Sequence, residues 1–236
     1  MRHLVLGASA SLFIAGSSHA AGIVITEVDP SGSSTVSNTY NADWFELTNT
    51  GTAAQDVTGW KMDDNSHLFA NAVALRGVTS IAPGQTVVFV EGLADGSTDS
   101  TINSNFENFW FGANVPAGFT IANYGGAGVG LGQGGDEVNI YNAGGTEVTG
   151  VGFGATTVGV SLDNFAGIGS PTQPDPIIST NSVVGVNGGF GSFNAAVGQA
   201  NEVGSPGAVP EPASALLLGV GAGLLSLRRP GKKAGL

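Results

Sequence analysis

Acidic and amide side chains are the residues of this chain whose types and spacing could bind a metal ion. They cluster in three turn-rich segments, which contain Asp63, Asp64 and Asn65, Asp95 with Asp99, and Asp136 with Glu137. Oxygen ligands of this kind suit Ca²⁺. None of the clusters has the spacing of an EF-hand loop, and Asp and Asn also favour turns for backbone reasons. The sequence therefore leaves calcium binding and simple turn formation as alternatives at these positions.

Residues for nucleophilic catalysis are scarce. His67 is the only histidine between residues 21 and 208, the chain has no cysteine, and no serine stands in a G-x-S-x-G elbow. Glu27 and Glu46 are the default acids for a carboxylate mechanism, which needs two acids beside a cleft. Both fall in predicted strands, where a structural hydrogen bond is the favoured role. We therefore predict a protein that is not an enzyme and that needs no cofactor.

The charge distribution argues against a nucleic-acid partner. Between Gly22 and Val209, only Lys61 and Arg76 face 17 acidic residues, which gives this body a formal charge of −15. Binding to nucleic-acid phosphates needs clustered Lys and Arg. We predict that the body binds no nucleic acid.

Tryptophan side chains could stack on sugar rings. Trp44 and Trp60 fall in predicted strands, so we expect them in the core. Trp110, which Phe109 and Phe111 flank, is the better candidate for a contact with carbohydrate.

Short runs of β-branched and aromatic residues between turn signals predict an all-β body over residues 21–194. The predicted strands cover residues 23–28, 43–49, 57–62, 86–91, 137–142 and 147–153. Gly144 and Gly145 predict a hairpin turn between the last two. Residues 92–133 are predicted to form a glycine-rich insertion whose aromatic side chains fold onto the sheets, and residues 195–208 a flexible linker.

The order of these segments resembles the lamin-tail domain, an immunoglobulin-like β-sandwich. The positions that carry the resemblance are 23–28, 43–49, 59–60, 81–84, 134–138, 144–145 and 205–208. The resemblance implies the fold of an all-β, immunoglobulin-like β-sandwich of the lamin-tail type. It also implies a role as an interaction module. Residues 92–133 are longer and richer in glycine than that pattern needs.

The N-terminus has the features of a secretory signal peptide over residues 1–20. Arg2 precedes an apolar helical stretch at 4–15, and small residues lead to a predicted cleavage site after Ala20.

The C-terminal segment 209–233 resembles the PEP-CTERM sorting signal. Its features are Val209, Pro210, Glu211 and Pro212, then the apolar run 213–227, then Arg228 and Arg229. We predict that the apolar run is a short transmembrane helix whose basic end stays in the cytoplasm. The resemblance implies an exosortase, a transpeptidase-like membrane enzyme, that cuts at the motif in exopolysaccharide-producing Gram-negative bacteria.

Together these features predict a non-catalytic, exported protein of the cell surface or extracellular matrix, with a transient inner-membrane intermediate. Its expected partners are an exosortase-like enzyme and extracellular polysaccharide or other surface proteins of the biofilm matrix. Two alternatives stay open at this point. One is a secreted hydrolase that uses carboxylates or calcium, and the other is a calcium-dependent adhesin.

Overall fold

The computed structural model describes residues 22–30, 32, 40–186, 193–194 and 202–208. The predicted signal peptide with its cleavage site at Ala20, the motif at 209–212, the helix 213–227 and the basic end at Arg228 and Arg229 lie outside this part of the chain. Over the residues described, no helix is both long and apolar enough to cross a membrane.

Strands dominate the described residues. They are β1 (Ile23–Asp29), β2 (Trp44–Asn49), β3 (Gln55–Asp56), β4 (Lys61–Asp63), β5 (Val73–Arg76), β6 (Ser80–Ile81), β7 (Thr86–Gly92), β8 (Ile121–Gly125), β9 (Gly135–Tyr141), β10 (Glu147–Gly154), β11 (Leu162–Asp163), β12 (Ile177–Ile178), β13 (Phe193–Asn194) and β14 (Val203–Gly204). One helix, α1 (Asp99–Phe111), stands between β7 and β8.

Ten of these strands pair in the order β11-β1-β2-β7-β8-β5-β4-β9-β10-β12. Strand β5 pairs with β8 through its second half and with β4 through its first half, so it joins the two halves of the structure. Strands β9 and β10 pair as the predicted antiparallel hairpin. This mainly β architecture is consistent with the predicted immunoglobulin-like sandwich.

The main core lies between the two halves of the sheet. Alternate side chains of β1, β2 and β7 point into it from one side, and those of β4, β9 and β10 from the other. The cluster includes Ile25, Phe45, Phe89, Ile140 and Val151, each fully buried. Phe45 stacks on Phe89 with ring centroids 5.4 Å apart.

The interpretation of residues 92–133 as a glycine-rich insertion is wrong in two respects. Strand β8 lies inside the sheet, parallel to β7, and is therefore part of the sandwich. The segment before it forms α1, whose side chains at Phe106, Phe109 and Trp110 follow helical spacing and so lie on one face. That face packs on the outer side of β2 and β7 and forms a second core with Tyr40 and Trp44.

Trp110 is not available to a carbohydrate. Its side chain is 1 % exposed and meets Trp44 edge to face at 6.0 Å between ring centroids. The prediction of a sugar contact at Trp110 is therefore wrong, because the helix turns this residue inward. Trp44 and Trp60 are core residues, as predicted.

Residues 202–208, which the sequence placed in a flexible linker, are instead packed against the sandwich. Glu202 accepts a hydrogen bond from the Tyr40 hydroxyl at 2.9 Å. The backbone N–H groups of Ser205 and Gly207 donate to the carboxylates of Glu27 and Glu46. Residues 202–208 therefore form a packed closing segment of the sandwich.

Candidate functional site

One face of the β4–β9–β10 part of the sheet carries polar side chains instead of core residues. Asp63 lies opposite Asn139, and Asn139 lies opposite Gly150. Tyr141 lies opposite Glu147 in the next row. Directly opposed residues of antiparallel strands share a face, and so do residues two apart on one strand. The polar side chains of these two rows therefore project to the same side.

Two loops cover this face. The first follows β4 and contains His67, whose backbone φ of 53° is in the left-handed region. Asp63 supports this loop because its Oδ2 accepts hydrogen bonds from Ser66 Oγ and the Leu68 N–H. The second loop precedes β12 and contains Gln173 and Asp175. Residues that are far apart in sequence are thereby brought together.

His67, Glu147 and Asp175 form the centre of the site. Their donor atoms all lie within 4.8 Å of one another. His67 Nε2 lies 2.9 Å from Glu147 Oε2. His67 Nδ1 lies 2.7 Å from the Gln173 amide nitrogen and 3.6 Å from Glu137 Oε2. Both ring nitrogens therefore face polar groups.

Several oxygens of this site are buried without a hydrogen-bond donor. They are Asp63 Oδ1, Asn139 Oδ1, Tyr141 Oη, Glu147 Oε1 and both carboxylate oxygens of Asp175. Asn139 is held with its oxygen free because its amide nitrogen donates to the Asp64 carbonyl at 2.9 Å. A buried oxygen that accepts no hydrogen bond costs free energy. A group of such oxygens therefore indicates a site for a ligand that interacts with them.

The electrostatics of the site favour positive charge. Burial, together with the nearby charges of Glu147 and Glu137, raises the pKa of Asp175 to about 6. Burial raises the pKa of Tyr141 to about 12, and the nearby charges of Glu147, Asp63, Asp175 and Glu137 add to this shift. The nearby Lys61 is engaged elsewhere, since its ammonium lies 4.7 Å from the centre of the Phe69 ring. A divalent cation is the kind of ligand that such a set of donors attracts.

A second pair of buried acids lies on β1 and β2. Glu27 and Glu46 are opposite each other in the strand register. Glu27 accepts hydrogen bonds from Ser161 Oγ and from the N–H and hydroxyl of Ser205. Glu46 accepts from Thr26 Oγ1 and the Gly207 N–H, each at 2.6 Å. The pair therefore holds the closing segment 202–208.

Burial is the main cause of the raised pKa of both glutamates. It raises the pKa of Glu27 to about 7, although the hydrogen bonds from Ser161 and Ser205 oppose the shift. Burial and the charge of Glu27 raise the pKa of Glu46 well above its ordinary value. No part of this arrangement requires a cleft, which fits the structural role that the strand positions predicted.

Comparison with known proteins assigns the family. The family model described as Lamin Tail Domain matches residues 16–155. The chain belongs to the lamin-tail domain family. The sequence matches none of the curated proteins with which it was compared.

The lamin-tail match covers only part of the site around His67. It spans β1 to β10 and includes His67 and Glu147, whereas Asp175 lies beyond its end at residue 155. Segment 205–208, which also carried the resemblance, lies beyond it too, yet it contacts Glu27 and Glu46 of the matched region. The lamin-tail domain is a non-catalytic fold family. The region after the match completes both groups of buried acids.

The predicted calcium residues do not form one site. Asp63 and Glu137 belong to the cluster around His67. Asp64 and Asp136 instead accept hydrogen bonds from backbone N–H groups in turns, and one of the donors to Asp136 is the N–H of Asn65. Asp95 caps a turn at Ser97, and Asp99 binds Arg76 through two hydrogen bonds. Calcium binding by any of these groups stays a prediction.

His67, Glu147 and Asp175 were not among the residues predicted to bind a metal ion. One signal was present, because Glu137, Asn139 and Tyr141 alternate with the apolar Val138 and Ile140. That alternation shows a polar face, but it does not show that two distant loops cover it.

A groove of about 540 Å³ lies beside the first half of α1. Two acids line it, Asp43 and Glu91, along with Thr98 and Ile102. Burial raises the pKa of Glu91. The aromatic run Phe109–Phe111 is buried in the second core, so the groove lies at the other end of the helix.

Proposed function

We propose that this protein is an exported, non-catalytic interaction module that is retained at the cell surface or in the polysaccharide matrix of a Gram-negative bacterium. An exosortase-like enzyme would cut its tail near Pro210, Glu211 and Pro212. The proposal rests on the order of sequence features around the lamin-tail sandwich, namely the predicted signal peptide at 1–20 before it and the predicted sorting tail at 209–233 after it.

The described surface supports a binding role. Seven of the ten exposed large hydrophobic side chains lie between residues 158 and 186, namely Val158, Phe165, Ile168, Ile177, Val183, Val184 and Val186. Exposed apolar groups that concentrate in one region are typical of contact surfaces. These side chains lie in one stretch of the chain after the family match, and we propose that they contribute to its contact surface.

The packed end of the domain supports removal of the tail. Because Ser205 and Gly207 are bonded to Glu27 and Glu46, a cut beyond Ala208 would leave these contacts in place. The sandwich is then expected to keep its stability after sorting. The cleavage site would also stand close to the membrane while the tail is anchored.

The test is intact mass combined with cell fractionation in the native host. We expect a mass that lacks residues 1–20 and everything after the Pro-Glu-Pro region, in a fraction outside the inner membrane. The variant Glu211→Ala should accumulate uncut in the inner membrane, whereas the surface control Asp95→Ala should be processed normally. A wild-type protein that keeps residues 213–227 and stays in the inner membrane would overturn the proposal.

A carboxylate hydrolase is the second candidate, because Asp43 and Glu91 line one groove and the pKa of Glu91 is raised. The expected result for such an enzyme is release of reducing ends from the host polysaccharide, with loss of that activity in Glu91→Gln. Equal results for the wild type and Glu91→Gln would remove this candidate.

A further inference from the structure

The two groups of buried acids differ in what surrounds their oxygens. The oxygens of Glu27 and Glu46 accept hydrogen bonds, but six oxygens around His67 have none. Asp175 shows this difference most clearly. It is only 8 % exposed, and neither of its carboxylate oxygens has a hydrogen-bond donor within bonding geometry. A buried carboxylate is stable when it is paired, hydrogen-bonded or bound to a metal ion.

We propose that His67, Glu147 and Asp175 bind one divalent transition-metal ion of the zinc type. Asn139 Oδ1 lies beside Asp175 across Gly150 and can supply a further oxygen contact. This site is independent of the proposed sorting and of the matrix role.

The distances fit shared coordination of one ion. Two donors that each lie about 2.1 Å from an ion are separated by roughly 3.0–3.4 Å, depending on the coordination geometry. His67 Nε2 and Glu147 Oε2 are 2.9 Å apart, close to that separation. Asp175 lies within 4.8 Å of the other two donors, so its side chain needs to move by at most about 1.4 to 1.8 Å to reach the same separation.

The imidazole selects the class of ion. Calcium takes six to eight oxygen ligands, whereas imidazole suits zinc and its neighbours in the transition series. Without an ion, His67 Nδ1 accepts a hydrogen bond from the Gln173 amide nitrogen and its Nε2–H donates to Glu147. With the ion on Nε2, the Nδ1–H donates toward Glu137 Oε2, 3.6 Å away, and the Gln173 amide turns over so that its oxygen faces Nδ1. Such partners orient the ring of a metal-binding histidine.

Gly150 keeps the site open. A Cβ atom at this position would lie 2.5 Å from Asn139 Oδ1 and 2.6 Å from Asp175 Oδ2. Both distances are far below normal contact, so any larger residue would push these oxygens away. The absence of a side chain at Gly150 gives the oxygens the room in which they converge.

The experiment uses the secreted mature protein, purified without an affinity tag and treated with a chelator. Zinc chloride is the probe, and thermal unfolding and isothermal titration are the measurements. We expect one site per chain and a Tm that rises by about 5 °C when zinc exceeds its Kd 100-fold. Because His67 is the only histidine of the mature body, the ¹⁵N signals of its ring report directly on the ligand atom.

Variants separate the proposed site from adventitious binding. Asp175→Asn and His67→Asn should each lower the zinc affinity at least tenfold. Asparagine suits position 67 because it tolerates a positive φ. Gly150→Ala, which keeps all three ligands but fills the space between the oxygens, should lower the affinity as well. Asp95→Asn is the matched control, since Asp95 is an exposed acid far from the cluster, and it should bind zinc like the wild type.

Three results would overturn the proposal. The first is a Tm and a set of His67 ring signals that zinc leaves unchanged. The second is zinc binding that Asp95→Asn weakens as much as Asp175→Asn does, which would indicate general attraction to an acidic surface. The third is a Tm that rises with calcium but not with zinc, which would support the calcium-dependent adhesin instead.

Discussion

The Glu27–Glu46 pair and the cluster around His67 are both buried and acidic, but different groups surround their carboxylates. Ser161, Ser205 and Gly207 bring hydrogen-bond donors to the glutamate pair. The His67 cluster brings further oxygens to Asp175 instead. Donors stabilise a buried carboxylate within the chain, whereas additional oxygens leave it dependent on a cation or a proton.

The comparison shows how burial alone can mislead in the search for a site. Glu27 has a strongly raised pKa in a buried position, which is a common signature of catalysis. Its complete set of donors shows that it is a structural latch for residues 202–208. Asp175 also has a raised pKa, of about 6, but its unpaired oxygens point to a missing ligand. Hydrogen-bond satisfaction therefore separates the two better than the pKa does.

The largest expected effect comes from removing the closing segment. A mature chain that ends at Ala208 should unfold at the same temperature as the longer chain. A chain that ends at residue 201 loses the Ser205 and Gly207 donors and the Glu202 contact with Tyr40. Each unsatisfied buried group costs about 1–3 kcal/mol. We expect a Tm about 10 °C lower, measured by circular dichroism. Equal Tm values for the two chains would mean that the latch does not stabilise the domain.

A second prediction compares one acid from each cluster in chelator-treated protein. Glu27→Ala leaves the Ser161 hydroxyl and the Ser205 N–H without an acceptor and should cost about 3 kcal/mol in urea unfolding. Asp175→Ala removes an unpaired carboxylate and strands no donor, so it should change the free energy of unfolding by less than about 1 kcal/mol. If Asp175→Ala destabilises the protein as much as Glu27→Ala does, the two clusters do not differ in the way proposed.

The sequence predicts the strong strands of this fold well. The strands predicted from runs of β-branched and aromatic residues at 23–28, 43–49, 86–91 and 147–153 correspond closely to β1, β2, β7 and β10. Helix α1 was missed because its aromatic residues also have high strand propensity, and because asparagine, serine and threonine in the same run weaken the helical signal. Strand β8 was missed because it is short and lies between glycine-rich turns.

The sites were predicted only in part, for a topological reason. Glu27 and Glu46 were identified with the structural role that their contacts support. His67, Glu147 and Asp175 come from a loop, a strand and a second loop that are 28 to 108 residues apart. No local spacing links them, since the pairing of β9 with β4 and of β10 with β9 and β12 brings their segments together. The acids with a visible local spacing, such as Asp95 and Asp99, serve a turn and an ion pair instead.

The smallest expected effect is the pH dependence of the latch. In the folded chain the pKa of Glu27 is about 7, against about 4.5 for an ordinary glutamate, and its charged neighbours are Glu46 and Asp163. Between these two pH values the folded state binds more protons than the unfolded state, so stability falls as the pH rises. For Glu27 alone the loss between pH 5 and pH 7 is about 2 kcal/mol.

Glu27→Gln isolates this contribution, because glutamine resembles the protonated side chain and does not titrate. We expect the free energy of unfolding of the wild type to fall by about 2 kcal/mol more than that of Glu27→Gln between pH 5 and pH 7. Urea unfolding at both pH values, in the presence of a chelator, gives the difference. Asp95→Asn, which changes a fully exposed acid, should follow the wild type. Parallel curves for the wild type and Glu27→Gln would show that Glu27 is ionised in the folded chain, and that the donors from Ser161 and Ser205 outweigh the cost of its burial.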